Sequence, residues 1–156
     1  MNEKIMACSV TGHRMIPGAQ IGRVRRELRR EVEAAAADGY TVFISGFASG
    51  ADLEFAAIIV EMKKENPALL LEAALPYRGR LITREPLFQA LIGECDHVHW
   101  LSIFYAPGCY LARNRYLVER AGRVIAVYDG RGRSGTAQTI RIAQKLGREL
   151  RIIKLD

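Results

Sequence analysis

Residues 44–52 read ISGFASGAD, where a hydrophobic run stops at Ser45-Gly46 and a helical pattern begins at Ala51. The same order recurs along the chain: a short aliphatic run, a turn of small residues and a longer amphipathic segment. Strands that alternate with helices are joined by right-handed crossovers and build a parallel sheet. The stretch therefore predicts one strand–turn–helix unit of a doubly wound α/β domain, with helices on both faces of a mostly parallel sheet.

The alternation predicts a single domain that spans residues 1–156. Strands are expected at residues 5–11, 41–45, 69–75, 97–101, 123–128 and 150–153. Helices are expected at residues 20–38, 51–65, 85–93, 110–121 and 136–146. Gly39 is expected to end the first helix, because glycine readily adopts the left-handed conformation that follows helices. Pro76 is expected to end the third strand, because it cannot donate a ladder hydrogen bond.

The composition fits one compact domain with anionic partners. The 156 residues are 49% hydrophobic, and 23 basic against 17 acidic residues give a net charge of +6. A basic excess favours phosphates or nucleic acid as partners. The longest apolar segments are far shorter than the roughly 18 residues of a membrane span, and the polar residues 1–4 do not form a signal-peptide pattern. We therefore expect a cytosolic protein with no membrane association.

Neither a disulfide framework nor a metal site is expected. The cysteines are odd in number and lack C-x-x-C spacing, and the histidines are scattered: Cys8, Cys95, Cys109, His13, His97 and His99. These patterns favour reduced, structural cysteines and no metal ligands.

Arginines cluster in the predicted helix 20–38. Glutamates lie three or four residues away from several of them, a spacing that permits ion pairs on a helix surface. Two interpretations remain open, a solvated ion-paired face and a stripe that binds nucleic acid. The arginines are Arg23, Arg25, Arg26, Arg29 and Arg30.

Ligands of doubly wound sheets bind beyond the carboxyl ends of the strands, so the loops that follow strands carry the candidate residues. The first loop contains Thr11, Gly12, His13 and Arg14. Its glycine permits close approach of backbone to a ligand, and its histidine and arginine can donate to a phosphate. An ordinary turn with exposed polar residues is the alternative.

The loop at residues 45–52 supplies Ser45, Gly46 and Gly50. It leads into a helix N-terminus, whose free amides and dipole attract anions. The loop matches neither the G-x-x-x-x-G-K-[ST] nor the G-x-G-x-x-G pattern. Asp52 has two interpretations: a partner for a ribose hydroxyl, or the acid of a capping box that begins at Ser49.

Residues 129–136 form a second glycine-rich loop that runs into a helix. Its amides, one threonine hydroxyl and two arginines can enclose a phosphate, although the same composition suits a flexible surface turn. The candidate ligand-binding residues of this loop are Asp129, Gly130, Ser134, Gly135 and Thr136.

Two further pairs complete the candidate site. Pro76 and Tyr77 follow the third strand, where the tyrosine can form an aromatic wall or can simply lie exposed beyond the strand end. Arg113 and Asn114 lie near the start of a helix that should approach the last glycine-rich loop. A plain helix-surface role is the alternative for that pair.

Five motifs in this order resemble those of YpsA-like proteins of the SLOG superfamily. They are T-G-H-R at 11–14, S-G and G-A-D within 45–52, L-P-Y at 75–77, R-N at 113–114, and Y-D-G with S-G-T within 128–136. The superfamily also includes the Lonely Guy phosphoribohydrolases and the DNA-processing protein A family. The resemblance covers nearly the whole chain. It implies a Rossmann-like fold and a nucleotide-derived ligand, such as a ribose phosphate or an ADP-ribose-like molecule, with no certain cofactor.

The chain departs from the Lonely Guy pattern at the catalytic glutamate, since Thr139 stands at that position. A carboxylate there would stabilise positive charge that develops on the ribose, which threonine cannot do. The departure disfavours nucleotide N-glycosidase activity. Asp52 and Asp129 remain as weak candidates for a catalytic acid.

Three functions therefore stay open. The first is binding of a phosphorylated nucleoside, by a sensor or by an enzyme of unknown reaction. The others are binding of single-stranded nucleic acid and hydrolysis of a nucleotide N-glycosidic bond. A homodimer is also expected, because Phe55, Ile59 and Met62 form a second apolar stripe on helix 51–65, unless a neighbouring helix covers it.

Overall fold

The computed structural model describes residues 6–156, and its elements follow the predicted alternation. The strands are β1 (Ala7–Gly12), β2 (Val42–Ser45), β3 (Leu70–Leu75), β4 (His97–Trp100), β5 (Arg123–Tyr128) and β6 (Glu149–Lys154). The helices are α1 (Gly18–Ala37), α2 (Ala51–Lys63), α3 (Pro86–Ile92), α4 (Cys109–Glu119) and α5 (Gly135–Lys145). A short 3₁₀ helix, Arg78–Ile82, has no counterpart in the prediction. Ile5, the first residue of the predicted first strand, lies outside the described residues.

The six strands form one sheet in the order β4-β3-β2-β1-β5-β6, and every neighbouring pair is parallel. The predicted doubly wound parallel sheet is thus confirmed. The chain winds outward from β1 to β4 and then returns to the other side of β1 for β5. β1 and β5 therefore flank the point at which the winding direction reverses, where ligands of such sheets bind.

The hydrophobic core lies on both faces of the sheet. Buried side chains of α1, α2 and α3 form the larger cluster, and those of α4 and α5 belong to smaller ones. Strand residues alternate between the faces, so that Leu71 and Ala73 join the larger cluster and Ala74 a smaller one. Gly39 follows α1 at φ +98°, as expected for the residue that ends this helix.

Two glycines let α2 begin close behind β1. A Cβ on Gly12 would lie 2.4 Å from the Cβ of Ala51, and one on Gly50 would lie 2.4 Å from the carbonyl oxygen of His13. Gly50 also has φ +80°, in the left-handed region that glycine tolerates. The Ala51 amide donates to the His13 carbonyl at 3.2 Å. These contacts join the loop after β1 to the N-terminus of α2.

The second apolar stripe of α2 is buried within the monomer, which removes the basis of the expected homodimer. Phe55 and Ile59 are fully covered, and Met62 packs against the same cluster. The ring of Phe55 lies 6.1 Å from that of Phe43 on β2. Both α1 and α3 pack against α2. Neighbouring elements of the same chain therefore cover the stripe.

Neither a membrane span nor a metal cluster occurs in the part of the chain that the structure describes. Within residues 6–156, no helix is both long enough and apolar enough to cross a bilayer. Over the same range, histidine, cysteine and carboxylate side chains do not gather in a group of three suited to a metal ion. The three cysteines are free, and burial raises the pKa of Cys8 and of Cys95 to about 12. Both residues are therefore protonated thiols near neutral pH.

We expect Gly12→Ala to lower the free energy of unfolding by about 1–3 kcal/mol, because the added methyl group must push α2 away from β1. Gly93→Ala is the matched control. Gly93 has helical angles, and a Cβ there would meet nothing within 4 Å. Its substitution should change stability by less than about 0.5 kcal/mol. Urea denaturation measures the stability of both variants. If Gly12→Ala is as stable as Gly93→Ala, α2 can shift away from β1 without loss of stability.

Candidate functional site

A cleft of about 550 Å³ opens beyond the carboxyl ends of β1 and β5, at the reversal point of the sheet. Its walls are the loop after β1, the N-terminus of α5 and one face of α4. The structure brings ten of the predicted residues to this cleft: Thr11, Gly12, His13, Arg14, Asp52, Arg113, Asn114, Ser134, Gly135 and Thr136. The other seven do not line it: Ser45, Gly46, Gly50, Pro76, Tyr77, Asp129 and Gly130.

The N-terminus of α5 faces the cleft through Ser134, Gly135 and Thr136. Ser134 caps the helix, since its Oγ accepts from the Ala137 amide at 3.0 Å. A Cβ on Gly135 would have its nearest neighbour at 3.9 Å, the side-chain nitrogen of Asn114. Gly135 thus leaves room above the first amides of α5, where an anion is favoured by the helix dipole.

Asp129 stabilises the turn that leads into α5. One carboxylate oxygen of Asp129 accepts from the Arg131 amide at 2.9 Å, and the other lies 2.6 Å from the Arg131 guanidinium. The bond from the Arg131 amide holds the pKa of Asp129 below its usual range, with further help from His13 and the Arg131 side chain. Gly130, at φ +94°, gives this turn its left-handed residue. Asp129 and Gly130 thus shape the loop from beneath the cleft.

His13 links the loops after β1 and β5. The ring is buried, and its Nε2 accepts from the Asp129 amide at 3.1 Å and lies 3.0 Å from the Asp129 carboxylate. On the other side of the ring, Nδ1 lies 3.5 Å from the Thr136 hydroxyl and 3.5 Å from Nη2 of Arg131. The histidine therefore holds the two sides of the cleft floor together.

Arg113 is a buried cation that reaches from α4 to the loop after β2. Its Nη1 donates to the Gly46 carbonyl at 2.7 Å, and its Nε donates to the Asn114 side chain at 3.1 Å. Burial lowers the pKa of the Arg113 guanidinium, and the nearby Asp52 opposes that shift. A Cβ on Gly46 would lie 2.6 Å from Nη1 of Arg113, so the absence of a side chain at Gly46 makes room for the guanidinium group.

Asp52 is a buried acid beside Arg113. Burial raises the pKa of its carboxyl from 3.8 to about 6, against the opposing effects of Arg113, the Ala48 amide and Arg14. Its Oδ2 accepts from the Ala48 amide at 3.2 Å. A carboxyl that holds a proton at mildly acidic pH can donate a hydrogen bond as well as accept one.

The capping-box interpretation of Asp52 is wrong. Gly50 is the N-cap residue of α2, and no side chain caps this helix. Ser49 instead donates from its Oγ to Glu85 at 2.7 Å.

Residues 45–50 do not form the open ring of amides expected from their glycines. The Phe47 amide donates to Ser45 Oγ at 3.2 Å, the Ala48 amide donates to Asp52, and the Ala51 amide donates to His13. Phe47 has φ +56°, an uncommon value for a bulky residue, and its buried ring packs edge-on against Phe88. The loop is therefore tied inward, and it offers the cleft mainly Ala48 and the side chain of Asp52.

Pro76 and Tyr77 lie outside the cleft. Pro76 is buried at the end of β3. The Tyr77 ring packs edge-on against Tyr110 and Tyr105, with ring centres 6.5 Å and 5.6 Å away. Tyr77 thus supports Tyr110, which does line the cleft.

Arg131, one of the two arginines expected to enclose a phosphate, also lines the cleft. Several lining residues fall outside the candidates derived from sequence: Met15, Ala48, Tyr110, Leu117 and Gln138. Four of the residues that α4 presents to the cleft are spaced at positions 110, 113, 114 and 117, the period of one helix face. That spacing, anchored on Arg113 and Asn114, is a sequence signal for Tyr110 and Leu117. Gln138 and Ala48 carry no comparable signal.

Comparisons with known proteins agree with this architecture. No protein-family model matches the chain. The chain is similar to UPF0398 proteins of Bacillus thuringiensis (strain Al Hakam) and Bacillus cereus (strain AH187), each 23% identical over 137 residues, which cover 84% of this chain and 73% of the relative. Its fold is similar to that of DNA processing protein A from Helicobacter pylori, with a TM-score of 0.68 and 21% identity. That match covers 97% of this chain, which spans only 66% of the other.

A second similar fold is that of TM1055, a structural-genomics target, with a TM-score of 0.57 and 18% identity over 92% of this chain and 71% of that one. The sequence relatives and the two similar folds agree with the Rossmann-like fold that the resemblance to YpsA-like SLOG proteins implies.

The departure from the Lonely Guy pattern lies at Thr139. The residue is fully buried, and its hydroxyl donates to the Gly135 carbonyl at 2.9 Å. Its side chain is therefore directed to its own helix and supplies no charge to the cleft. Among the described residues that line the cleft, Asp52 is the one carboxyl group.

The raised pKa of Asp52 predicts a dependence of stability on pH. Between about pH 4 and pH 6, the folded protein keeps a proton on Asp52 that the unfolded chain releases, so Asp52 costs increasing stability as the pH rises. Asp52→Asn removes this cost while it keeps an acceptor for the Ala48 amide. We expect the variant to gain on the order of 2 kcal/mol relative to the natural protein between pH 4 and about pH 6.5. Urea denaturation at a series of pH values measures the difference.

Asp96→Asn is the control for this pH series. A hydrogen bond from Lys63 holds the pKa of Asp96 below its ordinary value, so the stability that Asp96 contributes is present above about pH 4 and is lost below it. Its offset from the natural protein should stay constant from pH 4 to about pH 6.5. A constant offset for Asp52→Asn as well would contradict the assignment of a raised pKa.

Proposed function

We propose that this protein binds a phosphorylated nucleoside in the cleft between β1 and β5. The observation that carries the proposal is the open N-terminus of α5, which shares one cleft with Arg14, Arg113 and Arg131 at the reversal point of the sheet. Free helix amides and guanidinium groups are the donors that proteins use for phosphate. The cleft volume, about 550 Å³, falls within the range of small-molecule sites.

The phosphate end of the ligand lies above residues 134–136. Gly135 leaves the approach open, Ser134 fixes the start of the helix, and Arg131 lines the same cleft from the preceding turn. The Arg131 side chain is exposed and is oriented by its pairing with Asp129, so it can turn toward a bound anion without desolvation of a buried charge.

The nucleoside part of the ligand lies against α4. Tyr110 offers an aromatic face, and Asn114 and Gln138 offer amide groups that already bond to each other at 3.2 Å. The Asp52 carboxyl, buried and close to its pKa at mildly acidic pH, suits a ribose hydroxyl better than a second anion. These contacts are compatible with a role as a sensor or as an enzyme.

Hydrolysis of an N-glycosidic bond is the less favoured form of this function. Thr139 places no carboxylate near the reacting ribose, and Asp129 is engaged by Arg131 and His13. Asp52 would have to act alone as the acid group that meets the ligand.

Single-stranded nucleic acid is the second candidate ligand. The structure of DNA processing protein A from Helicobacter pylori, whose fold is similar, concerns a single-stranded DNA binding mode. The arginine-rich helix α1 gives this candidate little support. Its predicted ion pairs form, with Arg23 bonded to Glu27 at 2.7 Å and Arg29 paired with Glu33 at 3.3 Å, and Arg25 is paired with Glu54 at 2.8 Å.

We expect Arg14→Ala to weaken the binding of an adenine nucleotide by about 1–3 kcal/mol, the usual contribution of a charge-assisted hydrogen bond. The nucleotide is first chosen from a panel by thermal shift, because a ligand that binds only the folded state raises the melting temperature. Calorimetry then gives the affinities. Arg26→Ala, the same change on the exposed face of α1, is the control and should leave the affinity unaltered. If both variants bind like the natural protein, Arg14 is not part of the site.

A salt series separates the two candidate ligands. Binding of a mononucleotide at one phosphate site should weaken only modestly between about 50 and 200 mM salt, since few counterions are released. A polynucleotide track that neutralises many phosphates would lose affinity by about a thousandfold or more over the same range. Filter binding with single-stranded DNA and calorimetry with the mononucleotide provide the two slopes. A steep slope for DNA together with no mononucleotide binding would favour the second candidate.

A further inference from the structure

A second, smaller cavity of about 180 Å³ adjoins the cleft and collects three arginines. Arg80 reaches it from the 3₁₀ helix that follows β3, while Arg14 and Arg113 line both this cavity and the main cleft. Ala48 and Tyr110 are also shared between the two, so the cavities lie side by side.

Two of the three arginines in this cavity form no ion pair with the protein. Among the described residues, neither Arg14 nor Arg80 has a carboxylate within ion-pair distance, whereas Arg113 lies beside Asp52. Arg14 lies over the ring of Tyr110 at 5.5 Å, and Arg80 lies over the ring of Phe88 at 5.9 Å. Glu85 also lines the cavity, but its carboxylate accepts a hydrogen bond from Ser49 at 2.7 Å. Three like charges that converge on one small space favour an anion between them.

The size of the cavity limits what the anion can be. Sites for whole small molecules begin at about 300 Å³, so 180 Å³ is too small for a second nucleoside. A phosphate group bonded by guanidinium groups suits the space and its donors.

The junction of the two cavities is unsuited to an anion. A Cβ on Gly46 would lie 2.6 Å from the Arg113 guanidinium and 2.9 Å from Oδ2 of Asp52, which places this buried acid beside the junction. An ionised Asp52 repels phosphate, whereas in either protonation state it bonds to a hydroxyl. The two cavities therefore offer three binding positions in a row. Arg131 favours an anion, Asp52 favours a hydroxyl, and Arg80 favours a second anion.

We propose that the ligand carries a phosphate on each side of one ribose. This inference rests on the proposed function, which places the first phosphate at the N-terminus of α5. The second phosphate lies among Arg14, Arg80 and Arg113, and the ribose lies between them at Asp52. The chemistry is that of a nucleoside 3′,5′-bisphosphate, which occurs free or as an internal nucleotide of a single strand.

The test compares nucleoside 5′-monophosphates, 5′-diphosphates and 3′,5′-bisphosphates by calorimetry with the intact chain. The bisphosphate should bind about tenfold more tightly than the monophosphate with the same base, since it gains one charge-assisted contact. The diphosphate, whose two charges are adjacent, should lack this advantage. A short single-stranded oligonucleotide forms a separate arm, and tighter binding of the oligonucleotide than of the free bisphosphate would identify the polymer as the source of the ligand.

Arg80→Gln tests the second cavity. In this variant the ratio of bisphosphate to monophosphate affinity, or of oligonucleotide to monophosphate affinity, should fall by about tenfold. Arg78→Gln is the matched control, because Arg78 lies over Trp100, 5.5 Å from the ring centre, and lines neither cavity. It should leave the ratio unchanged. Circular dichroism checks that both variants fold.

The outcomes separate this inference from the proposed function. If the monophosphate binds and the bisphosphate has no advantage, the second phosphate site is refuted while the nucleotide site stands. An equal drop of the ratio in both arginine variants would likewise refute it, because the effect would then be one of net charge. If neither nucleotides nor the oligonucleotide bind, the proposed function fails and the inference fails with it.

Discussion

The bond from Arg113 to the Gly46 carbonyl is the constraint on which the rest of the site depends. The Arg113 side chain extends from α4 across the end of the sheet to the loop after β2. Any residue larger than glycine at position 46 would clash with its guanidinium group. A buried guanidinium is tolerable only when its donors are satisfied, and the Gly46 carbonyl and the Asn114 side chain meet that need. The same side chain stands next to Asp52 and lines both cavities, so it sets the charge of the junction.

The opposite wall is held in a different way. His13 bonds to the backbone of the β5 loop, and Asp129 bonds to the turn that precedes α5. These groups are directed at the protein, and they leave the start of α5 at Gly135 and Thr136 facing the cleft. One side of the cleft is thus organised by a buried cation, and the other by a histidine and a carboxylate beneath an exposed helix start.

The sequence predicted the architecture well, because strand and helix periods are local signals. All six strands and five helices occur close to their expected positions, and they form the expected doubly wound parallel sheet. The loops after β1 and β5 were also recognisable as the edge where ligands of such folds bind. Glycine content alone, however, did not distinguish a loop that faces a ligand from one that is tied inward.

The differences have physical causes that lie in tertiary contacts. Gly46 and Gly50 are explained by the close passage of Arg113 and of the His13 backbone, which no local pattern reports. The stripe of Phe55 and Ile59 is covered because two helices, α1 and α3, pack on α2, so a broad apolar surface did not imply a second copy. Arg80 depends on a 3₁₀ turn after β3, too short for periodicity to predict.

The loop after β1 has a backbone anchored by hydrogen bonds and an exposed arginine, Arg14, at its tip. The His13 carbonyl accepts from α2, the His13 ring bonds to the β5 loop, and the next residue, Arg14, extends its guanidinium outward from this clamp. When Arg14 engages an anion, only its own rotamers must be immobilised, at a cost of roughly 2 kcal/mol or less. Because Arg14 lines both cavities, one side chain on a well-anchored loop supplies positive charge to each of them.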